Sequence, residues 1–171
     1  MLIASLLTVA AVGEVGAMAF ECLRRRRRTN VLGRAAHGRH VRFAVEDPLD
    51  IPGHYRRFAI MQTGHDVCAC NVCDAPSDLG RARTFDLHIH VGLAGRRTCR
   101  RYAVAIIELA RDVDVAGSPA SADGEGATEL VDRRVLACVP MGRPPQDHAE
   151  ALARATRHVS RAPTDRVCGK C

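Results

Sequence analysis

Cysteines are the residues of this sequence whose spacing most directly suggests chemistry. Three of the eight lie in the segment C-A-C-N-V-C at 68–73, and two more form a C-x-x-C pair at 168–171. Two residues between thiolates allow both to face one ion, so two such clusters can complete a tetrahedral zinc site. Zinc ribbons usually place their pairs about 15–20 residues apart, and these clusters are much further apart. The candidate zinc ligands are Cys68, Cys70, Cys73, Cys168 and Cys171.

The same cysteines are open to two other interpretations. In an oxidising compartment eight cysteines can form four disulfides, with about 105 possible connectivities. In a reducing compartment they can remain free thiols, with Cys138 as a core residue of an apolar strand. The pattern alone leaves metal site, disulfides and free thiols as alternatives.

A second candidate site lies in the segment that contains Asp86, His88 and His90. Residues i and i+2 of a strand point to the same side. The two imidazoles can therefore meet one metal ion, with Asp86 as a further ligand or as a hydrogen-bond acceptor behind them. The alternative is the solvent-facing polar side of a half-buried strand.

The segment F-D-L-H-I-H-V-G at 85–92 resembles the first metal-binding strand of the amidohydrolase superfamily. The resemblance implies that His88 and His90 bind a catalytic metal in a metal-dependent hydrolase. It covers eight residues of 171. Members of that family are barrels of about 250 residues, and their later metal-ligand segments have no counterpart in this sequence.

The charge is concentrated in one place. Five of the 25 basic residues form the arginine run 24–28, and the net charge of the whole chain is +6. The remainder is close to neutral, and there are four Phe, two Tyr and no Trp for stacking on bases. This pattern therefore argues against nucleic acid as a partner. Four arginine pairs, at 56–57, 96–97, 100–101 and 133–134, would bind phosphate or an acidic partner if they converged.

The first 23 residues form an apolar segment that ends at the arginine run. About 20 residues span a bilayer, so we interpret 1–23 as a single-pass membrane anchor with the domain in the cytoplasm. An A-x-A sequence at 17–19 allows a second interpretation, a cleaved signal peptide and a secreted protein. A third is a buried first helix.

Hydrophobic periodicity supplies the elements that would position these residues. Alternation predicts strands at 40–46, 55–62, 83–93 and 130–141, while 99–113 fits a strand or a helix. Residues 64–80 read as a polar loop, 114–128 as a flexible loop, and 146–160 as a helix. The sequence thus predicts an α+β domain at 41–171, with a small antiparallel sheet and a C-terminal helix, after an apolar N-terminal helix and a basic connector at 24–40.

The pattern favours a binding role over an enzyme. The sequence contains no G-x-S-x-G, P-loop, Rossmann glycine fingerprint or H-E-x-x-H. The leading hypothesis is a membrane-anchored module that binds another protein. The alternatives are a secreted disulfide-stabilised binding module and a metal-dependent hydrolase that uses Asp86, His88 and His90, with zinc as the cofactor.

Overall fold

A computed structural model of the chain describes residues 2–39, 41–93, 98–110, 121–123 and 126–160. Its helices are α1 (Leu2–His37), α2 (Ile51–His54) and α3 (Gln146–Ser160), with a 3-10 turn at Ala59–Gln62. Its strands are β1 (Arg42–Glu46), β2 (Asp66–Ser77), β3 (Gly80–Val91), β4 (Thr98–Leu109), β5 (Ser121–Asp123), β6 (Gly126–Val131) and β7 (Arg134–Pro140).

The strands form one antiparallel sheet in the order β1-β2-β3-β4-β7-β6-β5. Strands β1 to β4 lie in chain order from one edge, and β5 to β7 fold back from the opposite edge to pair with β4. With α1 before the sheet and α3 after it, the predicted α+β class is confirmed.

Strands β3, β4 and β7 are buried on both sides, because apolar side chains pack on each face of the sheet. On one face, Phe85 and Leu87 of β3 pack with Tyr55 and Phe58 from the segment around α2. On the other face, small residues of β4 and β7 pack with α3 through a cluster that includes Ala103, Ala105, Ala137, Ala151 and Ala155. The alanines allow α3 to approach closely, and polar residues of β3 on this face are consequently enclosed.

Helix α1 continues far beyond the apolar segment. It has 36 residues and includes the arginine run, so the basic connector at 24–40 is helical as far as His37. Its last turns pack on the domain, since Leu32 and Ala36 are buried. Gly33 allows close contact with β1, because a Cβ at this position would lie 3.2 Å from the Phe43 ring.

The prediction of a membrane anchor is wrong. Among the residues that the structure describes, no helix combines the length and the apolar character needed to cross a bilayer. Glu14 interrupts the apolar segment, and Glu21 and the arginines follow it within the same helix. The single-pass topology and the cytoplasmic placement were inferred from this anchor and lose their basis with it.

Two segments differ from their predicted structure. Residues 64–80, expected to be a polar loop, contain β2, which pairs with β1 on one side and β3 on the other. Residues 55–62, expected to be a strand, form the turn that follows α2 and the 3-10 turn. Tyr55, Phe58 and Met61 are all buried, and a spacing of three fits a tight helical turn rather than a strand.

Other expectations agree with the structure. The strand predicted at 83–93 corresponds to β3, the one at 130–141 contains β7, and the helix at 146–160 is α3. The ambiguous segment 99–113 is a strand as far as Leu109. Within the expected flexible loop, residues 121–123 and 126–128 belong to strands, whereas 114–120 and 124–125 lie outside the described residues.

The β2–β3 turn gives a test of the sheet. Gly80 has φ +140°, and a Cβ there would lie 2.0 Å from the carbonyl oxygen of Glu108 on β4. We expect Gly80→Ala to lower the free energy of unfolding by about 2–3 kcal/mol, because the residue is strained and the backbones must separate. Chemical denaturation measures the change. Gly38→Ala is the matched control, since its Cβ would meet nothing nearer than 3.7 Å. An equal effect of the two substitutions would contradict the placement of the turn.

Candidate functional site

An irregularity in β2 directs a polar side chain toward the centre of the sheet. The β2–β3 register shifts between Cys70 and Cys73, and Asn71 within this bulge has φ 52°. The Asn71 side-chain amide donates to Asp86 Oδ2 at 2.8 Å, and its oxygen accepts from the Thr29 hydroxyl at 2.8 Å. The bulge therefore connects β2 with both β3 and α1.

Asp86 is the centre of a buried polar network. Its side chain is 1% exposed and receives two hydrogen bonds from the Arg28 guanidinium, one of them from Nε to Oδ2 at 2.7 Å. His148 Nε2 lies 2.8 Å from Asp86 Oδ1. Burial alone would raise the pKa of Asp86, but the hydrogen bonds and charges of Arg28 and His148 lower it well below its usual range. Asp86 is therefore ionised at neutral pH.

Arg28 joins three elements. Besides Asp86 on β3, it contacts Asp147 at the start of α3, with 2.7 Å between Nη1 and Oδ2. It also donates to the carbonyl of Gly142 at 3.3 Å. Burial would lower the pKa of Arg28, whereas the hydrogen bonds and charges of Asp86 and Asp147 raise it. One arginine of α1 is thus fixed between two buried carboxylates.

His148 completes the network from α3. It is 5% exposed, and its Nδ1 lies 3.0 Å from the Thr84 hydroxyl while its Nε2 faces Asp86. Both ring nitrogens are therefore engaged, Nε2 by Asp86 and Nδ1 by Thr84. His148 therefore holds α3 against β3.

A cleft of about 810 Å³ opens beside this network, between α1, the sheet and the segment that leads to α3. Six arginines and two carboxylates are among the residues that line it, which gives these charged groups a formal total of +4. The arginines are Arg24, Arg25, Arg27, Arg28, Arg101 and Arg143. We call it the arginine cleft.

Glu21 lies at the rim of the arginine cleft and contacts three of these arginines. Its carboxylate lies 3.1 Å from Nε of both Arg24 and Arg25, and 2.7 Å from Nη2 of Arg101 on β4. Burial would raise the pKa of Glu21, but hydrogen bonds from Arg25 and Arg101, and their charges, lower it. Arg27 and Arg143 form no ion pair with any described residue.

The structure brings some of the predicted metal ligands together. Cys68 and Cys70 of β2 lie on the same face as His88 of β3, with Cys68 paired opposite His88. Cys70 Sγ is 3.8 Å from His88 Nε2. Cys73 lies past the bulge, opposite Thr84, and His90 lies opposite Asp66 and Cys99. Cys168 and Cys171 are outside the described residues.

The described ligands do not form a ready metal site. As the side chains stand, no three of them surround a common point in the part of the chain that is described. The six cysteines in that part are free thiols, and Cys138 is buried in the core. Both oxygens of Asp86 are engaged by Arg28, Asn71 and His148.

Two further expectations for this strand differ from the structure. The sheet is antiparallel and open, which is unlike the parallel barrel implied by the resemblance to amidohydrolases. The polar side of β3 is not solvent-facing at Asp86 and His88, which are 1% and 8% exposed. Helices α1 and α3 cover this side of the strand.

Sequence reasoning missed the residues that build the network: Arg28, Asn71, Asp147 and His148. Arg28 is the last of five identical residues, and such runs are usually solvated. The available signal was periodicity, since Arg28, Leu32 and Ala36 recur at the helical spacing of four and share one side of α1. The arginine pairs that the structure describes do not converge: Arg101 lies in the cleft, Arg57 pairs with Asp132, and Arg134 contacts Glu108. The pair at 96–97 lies outside the described residues.

We expect Asp86→Asn to lower the free energy of unfolding by about 3 kcal/mol at pH 7, because the buried Arg28 then keeps only one of its two carboxylate partners. The folded-state pKa of Asp86 is below the unfolded value of about 3.9. The stabilisation is therefore complete above that unfolded pKa and is lost as pH falls through the folded pKa. The difference between native chain and variant should be full at pH 7 and shrink below about pH 4.

Denaturant titrations across this pH range measure the difference. The matched control is Asp132→Asn, which removes the exposed ion pair with Arg57 and should cost under about 0.5 kcal/mol. Equal costs at the two positions would show that the buried network contributes little.

No protein-family model, curated protein or solved structure matches the chain.

Proposed function

We propose that the protein binds a small anionic ligand in the arginine cleft, through the ligand's phosphate or carboxylate groups. The observation that carries the proposal is the formal charge of +4 on the groups that line a concave site. Its volume of about 810 Å³ lies within the range of roughly 300–1,000 Å³ that is common for ligand pockets. Arginine is the side chain best suited to such groups, because its planar guanidinium binds them with two parallel hydrogen bonds.

The arginines of the cleft include one that is buried and fixed and others at the rim that a ligand can reach. Arg28 is held by two buried carboxylates and positions the helix. Arg24 and Arg25 are 55% and 61% exposed, so a ligand can reach them. Three guanidinium groups already converge on the carboxylate of Glu21. A ligand carboxylate or phosphate would make the same contacts, so the rim is arranged for an anion before one arrives.

A small ligand fits the cleft better than a protein segment does. Protein interfaces depend on buried anchors, often Trp or Tyr, and no Phe, Tyr or Trp is among the residues that line the cleft. Its apolar lining consists of Val31, Val45, Met141 and Pro144. The protein partner expected from the sequence stays a separate prediction. The proposal concerns binding alone, since Asp86 and His148 serve the buried network.

Inorganic pyrophosphate is a suitable first probe for isothermal titration calorimetry on the full-length chain. We expect Arg25→Gln and Arg101→Gln each to weaken its binding about tenfold, because each removes a charge-assisted hydrogen bond worth roughly 1.5 kcal/mol or more. Arg57→Gln is the matched control, an arginine in an exposed ion pair outside the cleft. An equal loss in all three variants would indicate nonspecific attraction to a basic protein.

Glu21→Gln tests the same proposal with a substitution that should strengthen binding instead of weakening it. Removing the internal carboxylate that occupies the rim should strengthen pyrophosphate binding by about three- to tenfold. Glu150→Gln, which removes the helical ion pair with Arg154, should leave the affinity unchanged. If pyrophosphate does not bind and an oligoglutamate peptide does, the site serves an acidic protein segment and the small-ligand proposal fails.

A further inference from the structure

Thiols and imidazoles form a row on one face of three adjacent strands. Cys68 and Cys70 on β2, His88 and His90 on β3, and Cys99 on β4 share this face through the pairs Cys68 with His88 and His90 with Cys99. None of the three thiols is in a disulfide. Thiolate and neutral imidazole are the ligands that zinc prefers in proteins.

One pair in the row already has the spacing of metal ligands. Cys70 Sγ lies 3.8 Å from His88 Nε2. In a tetrahedral zinc site, with Zn–S of about 2.3 Å and Zn–N of about 2.0–2.1 Å, sulfur and nitrogen are separated by about 3.5 Å. A movement of a few tenths of an ångström would therefore bring both atoms onto one ion.

We propose that Cys70 and His88, with Cys68 as the third ligand, bind a zinc ion at the edge of the arginine cleft. Cys68 is paired opposite His88 and lies on the same face as Cys70, where cross-strand Cβ atoms are about 4.5–5.5 Å apart. Its thiol is exposed and must rotate about χ1 to join the ion. Cys70 and His88 both line the cleft, so the fourth position faces it and is open to water or a ligand.

Burial raises the pKa of all three thiols in the row, so they are protonated until a metal ion binds. Burial and the nearby Asp86 charge raise the pKa of Cys70 to about 12, so the ion must displace the thiol proton. The charge of Arg25 opposes this rise at Cys68, Cys70 and Cys99 without reversing it. The zinc site does not rest on the anion proposal, because neither Cys70 nor His88 contributes to the positive charge.

The test uses Co²⁺ as a spectroscopic substitute for Zn²⁺, with the full-length chain reduced and carrying Cys168→Ser and Cys171→Ser. These two changes prevent the terminal C-x-x-C pair from binding the probe. We expect one Co²⁺ per chain, with thiolate-to-cobalt charge-transfer absorption that Zn²⁺ abolishes. Cys70→Ser and His88→Gln should each weaken binding at least tenfold, and Cys68→Ser should reduce the charge-transfer intensity by about half.

Cys73→Ser is the matched control, because Cys73 lies beyond the bulge, opposite Thr84, and should keep the affinity unchanged. Thermal unfolding of each metal-free variant checks that it folds. A further measurement needs no substitution at the site. Added Zn²⁺ should protect Cys68 and Cys70 from alkylation, which peptide mass spectrometry measures. Binding without charge-transfer absorption, equal affinity in Cys70→Ser and its parent, or equal alkylation with and without Zn²⁺ would overturn the proposal.

Discussion

The position of α1 depends on a single buried guanidinium. Arg28 lies between Asp86 of the sheet and Asp147 of α3, and all three side chains are nearly inaccessible to solvent. Burying ions costs several kcal/mol each unless they are paired and hydrogen-bonded. Here Asn71 and His148 supply further hydrogen bonds to Asp86, and the Gly142 amide donates to Asp147. A change in the position of α1 would leave at least one of these charges unpaired, so the network specifies where the helix lies.

The cleft exists because the side chains on one side of α1 change from polar to apolar along the helix. One side of the helix, at spacings of four and three residues, faces the domain and passes from polar to apolar. Where that side is apolar the helix packs directly on the domain, and where it is polar the arginines stand away from the sheet and leave space. This side consists of Glu21, Arg25, Arg28, Leu32 and Ala36. The same arginine run therefore provides both the anchor and the charge of the proposed anion site.

More of the fold than of the site could be predicted from the sequence. Strand β3 and helix α3 carry strong periodicity, and their positions followed from it. Strand β2 did not, because its cysteines, bulge and polar residues conceal the alternation that its two neighbours impose. The site depends on contacts between distant segments, such as Arg28 with Asp86. The run of five arginines does not by itself show that the last one is buried, and only its spacing of four from Leu32 and Ala36 indicates this. Cys70 and His88 could be singled out because their residue types are chemically distinctive, and their role as metal ligands stays a prediction.

Hydrogen exchange, read by mass spectrometry on the native chain and on Arg28→Met, tests the central claim that Arg28 fixes α1 on the domain. The account requires that the backbone amides of residues 24–37 lose most of their protection in the variant. Strands β3 and β4, held by their own ladder and by the core around Phe85, should keep theirs. Unchanged protection of 24–37 would contradict the account, because α1 would then be held by its apolar contacts alone.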